Sequence, residues 1–277
     1  MALPCTFTTG TCRRALPALG TWLLLTAAAC QLATAEAVPA PLTYNFVKFP
    51  PFQYVSEATK EAEGVTLDLL RVAAAQVNEP LRLQQLPQQR MVQLTRAGRL
   101  QLAFVSSFYI AQAKDHYHCS AEPLTRLRPA VYVNRAQHPT LERLEQLANE
   151  VVYAPQSTSH TLAQLLPPGT KTDDSNADKA IVRMFAKQRL GLVVDFQEHM
   201  EPPLVALSPQ FAYRKLALPN LDIVLCINPN IANYQARHYA LEQAVLAVAH
   251  SQAGADIFAA HGMFLTMRKP SAAKPSP

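Results

Sequence analysis

Two adjacent hydroxyls, Ser106 and Ser107, close the apolar run Leu102-Ala103-Phe104-Val105, and a single cation, Lys114, stands in the loop that follows. Hydroxyls and a cation where a buried strand ends are what a parallel α/β sheet offers a small ligand: hydrogen bonds and a counter-charge. A second set of polar groups follows other apolar runs. Gln156-Ser157-Thr158-Ser159-His160 comes after Val151-Val152-Tyr153-Ala154, and Asp195 comes after Leu190 to Val194, with Glu198 and His199 close behind. Ser106, Ser107, Asp195, Glu198 and His199 include the groups of a proton-transfer set, but ionisable residues in a binding cleft more often contact ligand. His116-x-His118-Cys119 puts two imidazoles on one face of a strand, a copper or zinc site only if a third ligand approaches. No C-x-x-C, H-E-x-x-H, G-x-S-x-G, phosphate loop or Gly-rich dinucleotide turn occurs, and the chain has only 8 glycines. The expectation is a binding site without catalysis, metal or cofactor.

The elements that must position these groups are legible in the periodicity. Leu42 to Val47 reads as a strand, and Phe49-Pro50-Pro51-Phe52-Gln53-Tyr54 breaks it, since neither proline can donate to a ladder. Aromatics directly after a first strand are placed either to stack on a ligand or to cover the sheet edge. Leu69, Leu70, Ala73 and Val77 recur at helical spacing, Leu81 to Leu86 alternates as a strand, and Gln88 to Ala97 is a helix stopped by Gly98. With Leu102 to Val105 this makes β-α-β-α-β, the unit of a parallel sheet with crossover helices.

The alternation restarts after Pro129. Ala130 to Val133 is a strand, Leu141, Leu144 and Leu147 mark a helix, and Leu162, Leu165 and Leu166 mark another, stopped at Pro167-Pro168-Gly169. Ser175-Asn176-Ala177-Asp178 is a capping box opening a helix with Ile181, Met184 and Phe185 inward. Leu221 to Ile227 is a strand, followed by a long helix from Tyr234 to Ala253 and a shorter one from Ala255 to Ala260. The chain therefore divides into one lobe of residues 38–128 plus 222–270 and another of 129–221. Two crossings between them imply a two-strand hinge and a cleft.

Composition bounds the rest. With 49% hydrophobic and 16% charged residues, the 277-residue chain can bury ample core. Residues 1–37 read as a cleaved signal peptide: Arg13 and Arg14, an uncharged run from Ala15 to Cys30, then small-residue cleavage sites near Ala35 and Ala37. Cys30 directly after that run is the less favoured lipid anchor, because Ala27-Ala28-Ala29 lacks the usual leucine. Cleavage after residue 35 removes both arginines and no acid and lowers the net charge from +5 to +3, too weak and too evenly spread to argue for nucleic acid. Cys119 and Cys226 remain, and an oxidising compartment favours their disulfide over two separate thiols. The Pro/Ala/Ser/Lys tail, 271–277, has nothing to bury and reads as disordered.

Taken in order, these pieces resemble the periplasmic solute-binding proteins of family 3, the polar amino-acid type of ABC-transporter receptor. The resemblance runs from Tyr44 to about Met263. It is carried by Phe49-Pro50-Pro51-Phe52 with Gly64-Val65-Thr66-Leu67-Asp68-Leu69-Leu70, Leu94-Thr95-Arg96-Ala97-Gly98-Arg99-Leu100 leading to Ser106-Ser107, and Ser120-Ala121-Glu122-Pro123-Leu124. Gln156-Ser157-Thr158-Ser159 and Gly191-Leu192-Val193-Val194-Asp195 complete it.

The resemblance implies a type II periplasmic-binding fold, two α/β lobes closing on a small polar or charged ligand. An inner-membrane permease or sensor is the expected partner, the signal peptide places the chain in the periplasm, and a monomer is expected. Tyr44, Phe52, Ser106, Ser107 and Lys114 would face the ligand from one lobe, and Thr158, Ser159 and Asp195 from the other. Lys114 falls where the family keeps an arginine for the α-carboxylate, and an ammonium lacks the planar fork of a guanidinium, so the usual α-amino-acid ligand is in question. Arg90, at the start of the second helix, is an alternative cation for an anion. Two other functions fit the same fold: a periplasmic dehydratase or lyase, and a ligand-sensing accessory protein not tied to transport.

Overall fold

The computed structural model describes residues 40–111, 113–175, 178–207, 210–263 and 265–270. The signal-peptide, Cys30 and tail expectations, and the Asn176-Ala177 part of the capping box, lie outside these residues. The first part of the chain forms β1 (Leu42–Phe46), a hairpin of β2 (Tyr54–Val55) and β3 (Ala62–Glu63), α1 (Val65–Gln76), β4 (Leu81–Gln85), α2 (Gln88–Arg96) and β5 (Leu102–Ser106). A one-turn α3 (Ser107–Ile110), β6 (His118–Cys119) and β7 (Thr125–Leu127) follow. The middle holds β8 (Pro129–Asn134), β9 (Val151–Tyr153), α4 (Ser159–Ala163), β10 (Lys171–Asp173), α5 (Asp178–Ala186), β11 (Leu192–Phe196), α6 (Gln197–Leu207) and β12 (Tyr213–Ala217). The last described elements are β13 (Leu221–Ile227), α7 (Tyr234–Ala249) and α8 (Gln252–Ala260).

These strands make two α/β lobes, each built on its own sheet. The first sheet has the order β4-β1-β5-β13-β6, with β7 also paired to β13. β1 runs parallel to β4 and β5, as crossover helices require, while β13 returns antiparallel to β5. The second sheet has the order β10-β9-β11-β8-β12, with β9 parallel to β10 and β11, and β8 antiparallel to β11 and β12. The chain passes between sheets at Leu127 to Pro129 and at Ala217 to Leu221. One apolar cluster continues across both, from Leu42, Phe46 and Leu70 to Val131, Val194 and Phe196.

Several boundaries depart from the periodicity for local reasons. The break between the two expected helices falls earlier than the periodicity places it, after Ala249 rather than Ala253, because Ser251 caps the second start by accepting the Gly254 N–H at 3.4 Å. Around Leu141 to Leu147 only a 3-10 turn, Leu144–Leu147, forms. α6 keeps Pro202 and Pro203 inside it. It is held at its start by the Gln197 N–H on the Arg128 carbonyl at 2.9 Å, and along its length by buried Met200 and Leu204 one turn apart.

Cys119 and Cys226 are direct partners across β6 and β13 and form the expected disulfide. Beside it, His238 on α7 is buried, bonds the Leu225 carbonyl at 2.9 Å through Nε2, and meets the His118 ring at 4.9 Å. Glu242 lies 3.7 Å from its other nitrogen and is itself paired with Arg268. Burial pulls the His238 pKa from 6.5 down to about 4, so the ring is neutral at ordinary pH. Among the described residues no helix is long and apolar enough to cross a membrane.

Candidate functional site

A cavity of about 150 Å³ lies where the two sheets face each other. One wall is a stripe of α2, Gln88, Met91, Val92, Thr95 and Arg96, the spacing that places side chains on a single helical face. The end of β5 supplies Phe104, Val105 and Ser106, and the loop after β1 supplies Val47, Phe49 and Gln53. The second lobe supplies Ser157, Thr158 and Thr161 around the start of α4, and Phe196 at the end of β11. Leu127, Leu221 and Ile223, at the crossings, close the back.

Gly64 positions the Phe49-Pro50-Pro51-Phe52 loop. Its φ is +127°, and a Cβ there would sit 2.5 Å from the Phe52 carbonyl oxygen, so any side chain would displace the loop. That closeness lets the first N–H groups of α1 cap the loop: Val65 donates to the Pro51 carbonyl at 3.1 Å and Thr66 to that of Phe52 at 2.9 Å. Phe49 and Phe52 then meet Phe196 of the other lobe, with ring centroids 5.3 and 6.5 Å apart. Tyr109 and Thr161 hydroxyls add a 3.0 Å hydrogen bond between the lobes.

The hydroxyls of Ser106 and Thr158 are the electrostatically unfinished part of the site. Both residues are more than nine-tenths buried, both line the cavity, and neither side-chain oxygen has a hydrogen-bond partner. A buried hydroxyl without a partner costs about 1 to 3 kcal/mol, and such groups in native proteins call for an explanation. A ligand bridging the two lobes supplies one.

Other sequence expectations are placed elsewhere. Tyr44 is wholly buried behind the cavity, donating its hydroxyl to Gln53 Oε1 at 2.8 Å. Burial holds its phenol above the ordinary range, so it remains the donor and fixes the amide of Gln53, which does line the cavity. Phe52 lines a smaller apolar cavity next to the main one, sharing Phe49, Gln53 and Phe104 with it. Arg90 is exposed and off the lining stripe of α2; Arg96, two helical turns after Gln88, is the arginine on that stripe. Lys114 opens an exposed 3-10 turn, Lys114–His116, and is not among the lining residues. Ser107 begins α3, and its side chain is outside the described groups. Ser159 is satisfied, donating to Asp174 Oδ2 at 2.8 Å.

Asp195, expected at the ligand, is placed off this cavity. It is buried, accepts the Phe196 N–H at 2.7 Å, and pairs with His199 Nδ1 at 2.6 Å. Successive residues of a strand point to opposite faces, so Phe196 fronts the cavity while Asp195 turns away. Glu198 is equally committed, holding the first crossing through the Arg128 guanidinium at 2.8 Å and the Arg128 N–H at 3.1 Å. That bond raises the Arg128 pKa above its usual value. The proposed proton-transfer set is therefore divided: Ser106 lines the cavity, and neither Asp195, Glu198 nor His199 does. Cys119 is taken up by the disulfide, and no group of three or more potential metal ligands occurs among the described residues.

No family model matches the sequence, and no curated protein sequence matches it. Solved structures do match, and they define the class: this is the two-lobe fold of periplasmic binding proteins. An amino-acid ABC-transporter substrate-binding protein, AbpA from Streptococcus pneumoniae bound to L-arginine, is 15% identical with a TM-score of 0.57, over 80% of this chain and 94% of its own. The arginine-, lysine-, histidine-binding protein ArtJ from Geobacillus stearothermophilus is 13% identical with a TM-score of 0.53, over 79% and 94%. A histidine kinase sensor domain with similarity to periplasmic binding proteins is 13% identical with a TM-score of 0.56, over 83% and 99%. By their descriptions two are amino-acid-binding proteins and one is a sensor domain.

Proposed function

We propose that this chain is an exported solute-binding protein that closes its two lobes on a small polar or charged ligand and presents the closed form to an inner-membrane permease. The lobes are residues 38–128 plus 222–270 and residues 129–221, the second boundary falling one residue inside β13. The observation that carries the reading is the pair of buried, unpartnered hydroxyls lining one cavity, Ser106 at the end of β5 in one lobe and Thr158 at the start of α4 in the other. A ligand bonded to both favours the closed arrangement by its differential affinity alone. The likeness to arginine-binding receptors supports a transport role, and the leader read at residues 1–37 directs the protein to the periplasm.

Native mass spectrometry of protein purified without denaturation, followed by a melting-temperature screen of small polar solutes, tests this. The expected result is a bound or stabilising solute without turnover. Time-dependent loss of a solute that Ser106→Ala abolishes, with the melting temperature unchanged, would instead establish the lyase. A sensor remains the second reading, favoured by the likeness to a kinase sensor domain. Pull-down of a membrane-bound kinase rather than a permease by the liganded form would decide for it.

A further inference from the structure

The structure assigns the cavity to a narrower ligand class than the fold alone would: small aryl or branched-alkyl carboxylates that carry no ammonium group. This deepens the solute-binding reading and rests on it. The exclusion of a cation comes first. No Asp or Glu lines the cavity among the described residues. The acid nearest in sequence, Asp195, is consumed by the Phe196 N–H and by His199, and Phe196 occupies the cavity face in its place. An ammonium entering here would lose its water and gain no counter-charge.

The polar end of the ligand is set by what the walls donate. The Ser106 and Thr158 hydroxyls, one from each lobe, have no other partner, and Arg96, an exposed residue of the same lining, adds a positive charge at its edge. Two oxygens of one carboxylate accept from both hydroxyls, and the positive charge favours the ionised form. The body is set by Phe49, Met91, Phe104, Val105, Phe196 and Ile223, which surround it with aromatic and aliphatic surface. A volume of about 150 Å³ admits one ring or a short branched chain.

Calorimetric titration of the full mature chain with matched pairs tests this: hydrocinnamate against L-phenylalanine, isocaproate against L-leucine, and phenethylammonium as the cation alone. Each carboxylate should bind at least roughly tenfold more tightly than its amino acid, with no heat from phenethylammonium. Phe196→Asp, which puts an acid on the cavity face, should narrow or reverse the preference. Should that variant fail to fold, Thr158→Val serves: hydrocinnamate affinity falls about tenfold while the melting temperature without ligand holds. Equal or tighter binding of the amino acids, or binding confined to cations or neutral sugars, overturns the carboxylate class and leaves the solute-binding reading intact. Absence of binding by these probes, by a wider solute panel and by any co-purified molecule overturns both.

Discussion

The two central strands that end at the cavity, β5 and β11, are alike in sequence pattern and opposite in what they present. Each is a five-residue strand of four apolar residues and one polar residue, leading into a helix. At the end of β5 the polar residue, Ser106, lines the cavity and has no partner. At the end of β11 the polar residue, Asp195, is saturated, and the apolar Phe196 lines the cavity. The polar residue is the last of β5 but the last but one of β11, and that difference of one position yields a binding group in one lobe and a structural one in the other.

The largest effect expected from this difference is at Asp195. Asp195→Ala leaves His199 and the Phe196 N–H without their acceptor and should cost about 3 kcal/mol of stability, measured by urea unfolding. A variant that folds as well as the parent but loses ligand would reverse the assignment of the two strand ends. The disulfide tests the first lobe in the same way. Cys119→Ser opens a cross-link between residues 107 apart in sequence and should cost about 2 to 4 kcal/mol, again by urea unfolding, with ligand affinity preserved in the folded fraction.

Next to that cross-link, His238 should make stability depend on pH. The unfolded chain takes a proton on this histidine below pH 6.5, whereas the folded protein resists until about pH 4. Between those values the unfolded state binds more protons, so stability rises with pH and is lost on acidification, by up to about 3 kcal/mol. Glu242, whose pKa burial raises, works in the opposite sense and reduces the net slope. His238→Gln should flatten the profile measured by unfolding across that window. The smallest effect on stability belongs to Ser106→Ala, within about 1 kcal/mol of the parent or slightly stabilising, because it removes an unpaired polar group. Its cost should appear in ligand titration instead, which separates a binding hydroxyl from a supporting one.

Much of the framework was legible because it rests on periodicity. The β-α-β-α-β opening, the return of the chain at Leu221 to Ile227 and the Cys119–Cys226 pairing all follow from apolar spacing or from the cysteines outside the expected leader. Of the expected site residues, Ser106 and Thr158 stand in the cavity and Phe52 beside it. Tyr44, Arg90, Lys114, Ser159 and Asp195 do not line it, since period and composition give the end of a strand but not which of two neighbours faces inward. Arg96 could have been found from the sequence: it completes the helical stripe begun by Gln88, Met91 and Val92, to which Arg90 does not belong. The short pairs β2–β3 and β12 carry too little alternation to stand out, and Pro202-Pro203 hides α6.

The contact of Phe49 and Phe52 with Phe196 has a thermal consequence. Any motion that parts the lobes wets these rings, so closing them again removes apolar surface from water whatever solute is bound. Closure then carries a negative heat-capacity change of the protein's own, common to every ligand. Plotted against ligand apolar area, the heat capacities of binding should meet the axis below zero, and Phe49→Ala should raise that intercept.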